Sequence, residues 1–226
     1  MSKLLKIIQK NSEKLLIESF IKIFKELVLK QEKLNKRFSF VMTGGKSPIN
    51  LYKSLSKLNI DWKNIDFFWA DERFISQTSK HSNFKLIKQN LLKNIKIKKK
   101  QIFFIDTKKK SAFLAAKDYE KKIKTYFNQK NYSFDLVLLG MGNDGHIASI
   151  FPEDKEILNR NITRNVYRSD FDRITIGLDL INKSKKICLW LPTIRKSRRF
   201  DMFKKIKKKP INYLKKNSTE IFSIRL

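Results

Sequence analysis

Cysteine is almost absent from this chain. Cys188 is the only one among 226 residues, which excludes an intramolecular disulfide framework. It lies in the apolar run Ile187–Leu191 and reads as a buried strand residue. Long hydrophobic runs are missing too: no apolar stretch approaches the roughly 18 residues that a membrane span needs. The basic N-terminus alternates apolar and charged residues, with no secretory core followed by a small-residue cleavage site. No membrane association is expected, and a cytoplasmic location fits. Acidic residues are scarce beside basic ones, 21 against 51, for a formal net charge of +30. Such a charge attracts phosphate without any motif, and nucleic-acid binding is one reading of it. The lysines, however, run through every segment together with many Ile, Asn and Phe. A chain-wide compositional bias explains them better than a designed stripe. Sticking to polyanions at low salt is expected; a specific nucleic-acid partner is not. Histidine is limited to His81 and His146. With Cys188 as the only other strong soft or borderline ligand, and no compact spacing among the three, a metal site is disfavoured.

What is present points to a folded enzyme. Apolar residues make up 41% of the chain and 18 residues are Phe, enough for one substantial core in a single domain spanning residues 1–226. Residues Leu4–Leu34 read as mostly helical, with Ile17, Phe20, Ile21, Phe24, Leu27 and Val28 on one face. Strands are expected at Phe38–Met42, Ile65–Ala70, Ile102–Ile105, Phe134–Leu139, Arg173–Ile176, Ile187–Leu191 and Ile221–Ile224. Helical spacing marks Leu51–Leu58, Ser82–Leu92, Ala112–Phe127 and Arg198–Lys208. The lysine-rich stretches Lys96–Lys100 and Lys204–Lys209 read as solvated loops or helix ends. Strands separated by helices give an α/β fold with a largely parallel sheet. Phe134–Leu139 is interrupted only by Asp135 and lacks the alternation of a half-exposed strand.

Four groups of residues carry candidate chemistry. Thr43, Gly44, Gly45, Lys46 and Ser47 join a strand to a helix. A glycine pair there lets backbone N–H groups point at an anion, or simply makes a tight turn. Pro48 suits the first helical turn, with Ser47 as its cap. The second group, Asp71, Glu72 and Arg73, follows a strand directly. Arg73 suits oxyanion recognition, and solvated loop charges are the alternative. The third is the run FDLVLLGMGNDGHIASIFP, Phe134–Pro152. It puts Asp144 and His146 in a glycine-rich turn at the end of a buried strand, a common location for catalytic groups. His146 has the side chain best matched to general-base work near neutral pH; metal ligation and a structural hydrogen bond are its other roles. No serine stands between glycines as in a hydrolase elbow. Last, Arg173 and Lys196 could reach the same sheet edge to bind an anion, although 51 basic residues prevent the sequence from selecting them.

These segments, in this order, resemble the 6-phosphogluconolactonase family. The matching pieces are TGGKSPINLY, IDFFWADERF followed by SNFKLI, AAKDYE, FDLVLLGMGNDGHIASIFP and RITIGLDLIN. The resemblance implies an open Rossmann-like domain with helices on both faces, related to glucosamine-6-phosphate deaminases. Those relatives usually carry Tyr at the position of Arg73 and Ala-Phe-Asn-Glu-Pro where this chain reads Ala148–Pro152, so both departures favour the lactonase. Deamination or isomerisation of a phosphosugar is the alternative enzyme reading, and a basic nucleic-acid-binding protein the non-enzymatic one. The implied reaction is hydrolysis of 6-phosphoglucono-1,5-lactone, a small phosphorylated sugar lactone, with no metal or organic cofactor. In that reading His146 is the general base, Asp144 orients it, and Arg73 binds an anionic group or the developing oxyanion. Thr43, Gly44, Gly45, Lys46 and Asp71 form part of the pocket, and Arg173 and Lys196 are further anion ligands. A monomer is expected, with a weak homodimer as the alternative. Where the family usually has Ser-Gly-Gly-Ser-Thr-Pro, this chain has Thr43 and Lys46-Ser47. Thr193 replaces a usual glycine before Lys196.

Overall fold

The computed structural model describes residues 5–155, 157–206 and 208–225. Leu4 and Lys207, at the edges of two expected helices, lie outside them. Among the described residues, ten strands and six α-helices follow one another: β1 (Lys6–Lys10), α1 (Glu13–Lys33), β2 (Phe38–Met42), α2 (Ile49–Leu55), β3 (Ile65–Trp69), β4 (Asp71–Arg73), α3 (Asn83–Asn90) and β5 (Ile102–Phe103). Then come α4 (Ala112–Tyr126), β6 (Leu136–Gly140), β7 (Thr163–Val166), β8 (Arg173–Ile176), α5 (Leu178–Lys183), β9 (Ile187–Leu191), α6 (Ile194–Phe203) and β10 (Thr219–Ile224). Seven strands form one sheet in the order β1-β10-β9-β6-β2-β3-β5, and every pairing in it is parallel. A second, antiparallel sheet has the order β4-β8-β7.

The central strands are mostly apolar, with Ser39 and Asp66 as buried polar exceptions, because helices cover both faces of the sheet. All five residues of β2, β3 and β9 are buried. Adjacent residues of β3 face opposite ways, as the two-residue strand period requires. Phe67 meets Trp62, which in turn meets Phe24 of α1. Phe68 packs on Phe103 and on Tyr126 of α4. Helix α1 lies over β2 through Phe24, with ring centroids 5.6 and 5.3 Å from Phe38 and Phe40. On the same face it extends to β9 and β10 through Phe20, which meets Trp190 and Phe222. The one charge in the β6 region is satisfied. Asp135 accepts hydrogen bonds from the Ser39 N–H and hydroxyl and from Lys185 Nζ, tying the bases of β2 and β6 together.

The expected helix from Leu4 is corrected at its start. Lys6–Lys10 is a strand, paired in parallel with β10, and Ser12 caps α1 by accepting from the Leu15 N–H. The lysines at the two ends of this strand, Lys6 and Lys10, suit an edge strand with only one neighbour. Ser47 does not cap α2; Pro48 is the N-cap residue and no side chain bonds there. The last helix begins at Ile194 and ends at Phe203, earlier at both ends than Arg198–Lys208. The Thr193 hydroxyl, accepting from the Lys196 N–H, starts it.

Along the chain β3 and β5 add to one side of β2, whereas β6, β9 and β10 add to the other. The winding therefore reverses between β2 and β6. In open parallel sheets the loops at the carboxyl ends diverge at such a point and leave a crevice.

Candidate active site

Thr43 leaves β2 and Gly140 ends β6, side by side at the reversal, and the Gly140 N–H donates to Thr43 Oγ1 at 3.4 Å. The glycine turn is anchored from below. The buried Tyr52 hydroxyl donates to the Thr43 carbonyl at 2.6 Å, and Trp190 Nε1 donates to the Ser47 carbonyl. One cleft opens here. It is lined by Thr43, Gly44, Gly45, Lys46, Asp71, Arg73, His146, Arg173 and Lys196, which are all the residues that the family resemblance implied for the site except Asp144. Asn83, Ser47, Gly140, Met141, Gly142 and Ala148 complete the lining.

Asp144 stands behind the histidine. His146 Nδ1 and Asp144 Oδ1 are 2.6 Å apart, and the same oxygen accepts from the His146 backbone N–H at 3.2 Å. Burial alone would raise the Asp144 pKa. The hydrogen bond from the ring and the attraction of its positive form outweigh this and bring it down to about 2. An ionised carboxylate only accepts. Nδ1 must therefore carry a proton, and the lone pair of the neutral ring sits on Nε2. Phe151 packs on the ring, with centroids 4.6 Å apart. Gly142 lies beneath it, with its N–H donating to the His146 carbonyl at 2.8 Å. A Cβ at position 142 would fall 2.1 Å from the ring, so the imidazole occupies space that only glycine leaves free.

The opposite wall comes from the small sheet. Strands β4 and β8 place Arg73 directly across from Arg173, a pairing of like charges that costs stability in a sheet. Arg73 Nη1 donates to the His81 carbonyl at 2.6 Å, and Arg173 Nη2 pairs with Asp170. The Nε of each guanidinium is buried with no partner among the described residues. Asp71 accepts from Ser149 Oγ at 2.6 Å and from Asn83 Nδ2. Lys196 Nζ donates to the Met141 carbonyl at 2.9 Å; burial, and after it Arg199, lower its pKa. Glu72 points away from the cleft. Its two oxygens take the N–H groups of Arg73, Asn83 and Phe84 and the Ser82 hydroxyl. Burial nevertheless raises its pKa to about 7, against the pull of those donors.

A family model described as "Glucosamine-6-phosphate isomerases/6-phosphogluconolactonase" matches residues 11–222. The chain belongs to this family. Among its relatives, a 6-phosphogluconolactonase of Nostoc sp. is 32% identical over 155 residues, covering 67% of this chain and 65% of the relative. One of Thermotoga maritima is 35% identical over 132 residues, covering 57% and 58%. In these sequence matches the chain spans less than two thirds of either relative. The fold match is wider. The crystal structure of the Thermotoga maritima 6-phosphogluconolactonase superposes with a TM-score of 0.84 at 25% identity, covering 98% of both chains. The open parallel sheet with helices on both faces is thus the architecture of the family.

Two residues of the cleft were not singled out from the sequence. Asn83 lay within the matched SNFKLI string, but only the tertiary contact with Gly44 and Asp71 brings it to the cleft. Gly142 lay in the glycine-rich turn after the buried strand, and the tertiary structure shows that the group it admits so closely is the His146 ring.

Proposed function

We propose that this protein hydrolyses 6-phosphoglucono-1,5-lactone to 6-phosphogluconate, as a cytoplasmic, single-domain monomer. The observation that carries the reading is the pairing of opposite chemistries across one cleft. A histidine with its free lone pair fixed on Nε2 shares the cleft with two arginines whose buried Nε–H groups have no partner among the described residues. The first is suited to take a proton from water, and the second to hold an anionic substrate. The like charges of Arg73 and Arg173 become favourable once an anion lies between them.

In this mechanism His146 Nε2 accepts a proton as water attacks the lactone carbonyl carbon. Negative charge develops on the carbonyl oxygen, where a preorganised positive group is worth most. Arg73 lies on the substrate path for that role, and Arg173, Lys196 and Lys46 receive the phosphate. The tetrahedral intermediate collapses, the bond from the carbonyl carbon to the ring oxygen breaks, and the imidazolium returns its proton to that oxygen. Asp144 stabilises the imidazolium and holds the tautomer. A lactone is already an activated ester, so one activated water suffices, with no covalent intermediate and no cofactor. Arg73 and the Ala148–Pro152 segment both depart from the deaminase pattern in the direction of the lactonase.

The test is acid release from freshly generated lactone, measured above spontaneous hydrolysis, for the wild type and His146→Asn. Loss of a general base is expected to lower kcat by about 10²–10⁴-fold. Equal rates for the two proteins would remove His146 from the mechanism. Ammonia release from glucosamine 6-phosphate without lactonase activity would replace the reading altogether.

A further inference from the structure

Three polar atoms of residues lining the cleft are buried without a partner among the described residues: Arg73 Nε, Arg173 Nε and Asn83 Oδ1. Two are donors on cations and have a use in the mechanism above. The third has the opposite polarity, and no step described so far uses it.

The orientation of the Asn83 amide is fixed by its neighbours. Nδ2 donates to the Asp71 carbonyl at 3.0 Å and approaches Asp71 Oδ1 at 3.3 Å. Both are acceptors, so exchanging oxygen and nitrogen would set like poles together. Oδ1 therefore faces the other way, toward Gly44. A Cβ at position 44 would lie 1.8 Å from it, so the amide and the glycine turn form one continuous wall of the cleft. The residue has no freedom to swing into solvent. It is 2% exposed, its N–H is held by Glu72 Oε1 at 2.8 Å, and the Ser82 hydroxyl caps the helix it opens. A buried acceptor left without a donor costs stability that a ligand donor removes. Phosphate oxygens cannot supply that donor, because they are acceptors themselves.

We infer that Asn83 is a specificity residue whose amide oxygen accepts a hydrogen bond from a hydroxyl on the sugar portion of the substrate. The inference rests on the lactonase reading and adds an orientation rule to it. Arg173 takes the phosphate, Arg73 the carbonyl oxygen where charge develops, and Asn83 a hydroxyl, so the substrate is oriented by partners of opposite hydrogen-bonding character.

The experiment compares kcat/KM for the parent lactone and its 2-, 3- and 4-deoxy analogues, all phosphorylated at C6, with the wild type and Asn83→Ala. Removing the hydroxyl that meets Oδ1 is expected to lower wild-type kcat/KM by about 10–100-fold for one analogue, the usual range for a buried unpaired group. Asn83→Ala is expected to lose a similar factor on the parent but to treat that analogue within about 3-fold of it. A merely structural role would lower every substrate by the same factor and leave the discrimination intact, which overturns the proposal. So does a wild type that discriminates none of the three analogues, a result that stands even if the variant fails to fold. Absence of parent hydrolysis by the wild type overturns the lactonase reading and the inference with it; parent hydrolysis without discrimination overturns the inference alone.

Discussion

Replacing Gly142 with alanine tests the central geometry without touching a functional group. The new methyl would lie 2.1 Å from His146 Cε1 and 2.2 Å from Nδ1, against about 3.4 Å for an ordinary contact. The ring must retreat by about 1.3 Å or the backbone must shift, and neither movement is free. Asp144 holds Nδ1 at 2.6 Å, Phe151 packs against the ring at a tilt, and the Gly142 N–H is bonded to the His146 carbonyl. A misplacement of about 1 Å at a reacting group costs on the order of 10²-fold in rate, or about 2.7 kcal/mol of transition-state stabilisation. Overpacking of this kind lowers folding stability by about 1–3 kcal/mol. Gly142→Ala is therefore expected to reduce kcat for the lactone about 100-fold with KM nearly unchanged, because the arginine wall is untouched. Steady-state kinetics and urea unfolding measure the two effects separately. A folded variant that keeps kcat within about 3-fold of the wild type would refute the claim that Gly142 sets the ring position.

Asp144→Asn is expected to lose about 10²–10⁴-fold in kcat, since the amide no longer selects the Nδ1–H tautomer or stabilises the imidazolium; nitrogen chemical shifts of His146 report the tautomer directly. The Asp144 pKa of about 2 lies below its unfolded value near 3.9. Its contribution to stability is thus complete above about pH 4 and fades as pH falls through about 2. Wild-type and Asp144→Asn unfolding curves should converge over that window, and a gap unchanged at pH 2 would contradict the ion-pair account. Arg173→Lys keeps the charge but removes the unpartnered Nε. It is expected to raise KM for the phosphorylated lactone by about 10–100-fold while leaving hydrolysis of unphosphorylated gluconolactone unaffected. Equal losses on both lactones would mean that Arg173 does not contact the phosphate.

The parallel core was legible because its strands carry their signal locally. Phe40–Met42, Phe67–Trp69 and Leu136–Leu139 are unbroken apolar runs of the kind that a sheet covered on both faces requires. The glycine turns after two of those strands were equally plain. The small antiparallel sheet was not. Asp71–Arg73 read as a charged cluster beyond a strand end or as loop charges, and Thr163–Val166 has no apolar periodicity, because both are strands through pairing with Arg173–Ile176 rather than through their own composition. The edge strand Lys6–Lys10 was hidden for the same reason, its charged residues being acceptable only beside β10.

The sequence by itself determined the layered α/β core, the strand-end turn holding Asp144 and His146, and the resemblance that put Arg73 and the glycine pair in one pocket. Burial period, turn chemistry and motif order are properties of short segments, and short segments display them without a partner. The tertiary structure alone decided which basic residues among 51 face the histidine, which nitrogen of that histidine is free, and where an unpaired amide oxygen lies. They depend on strand pairings such as Arg73 with Arg173, on side-chain contacts such as Ser149 with Asp71, 78 positions apart, and on which hydrogen-bonding groups were left over once the nearer partners had been taken.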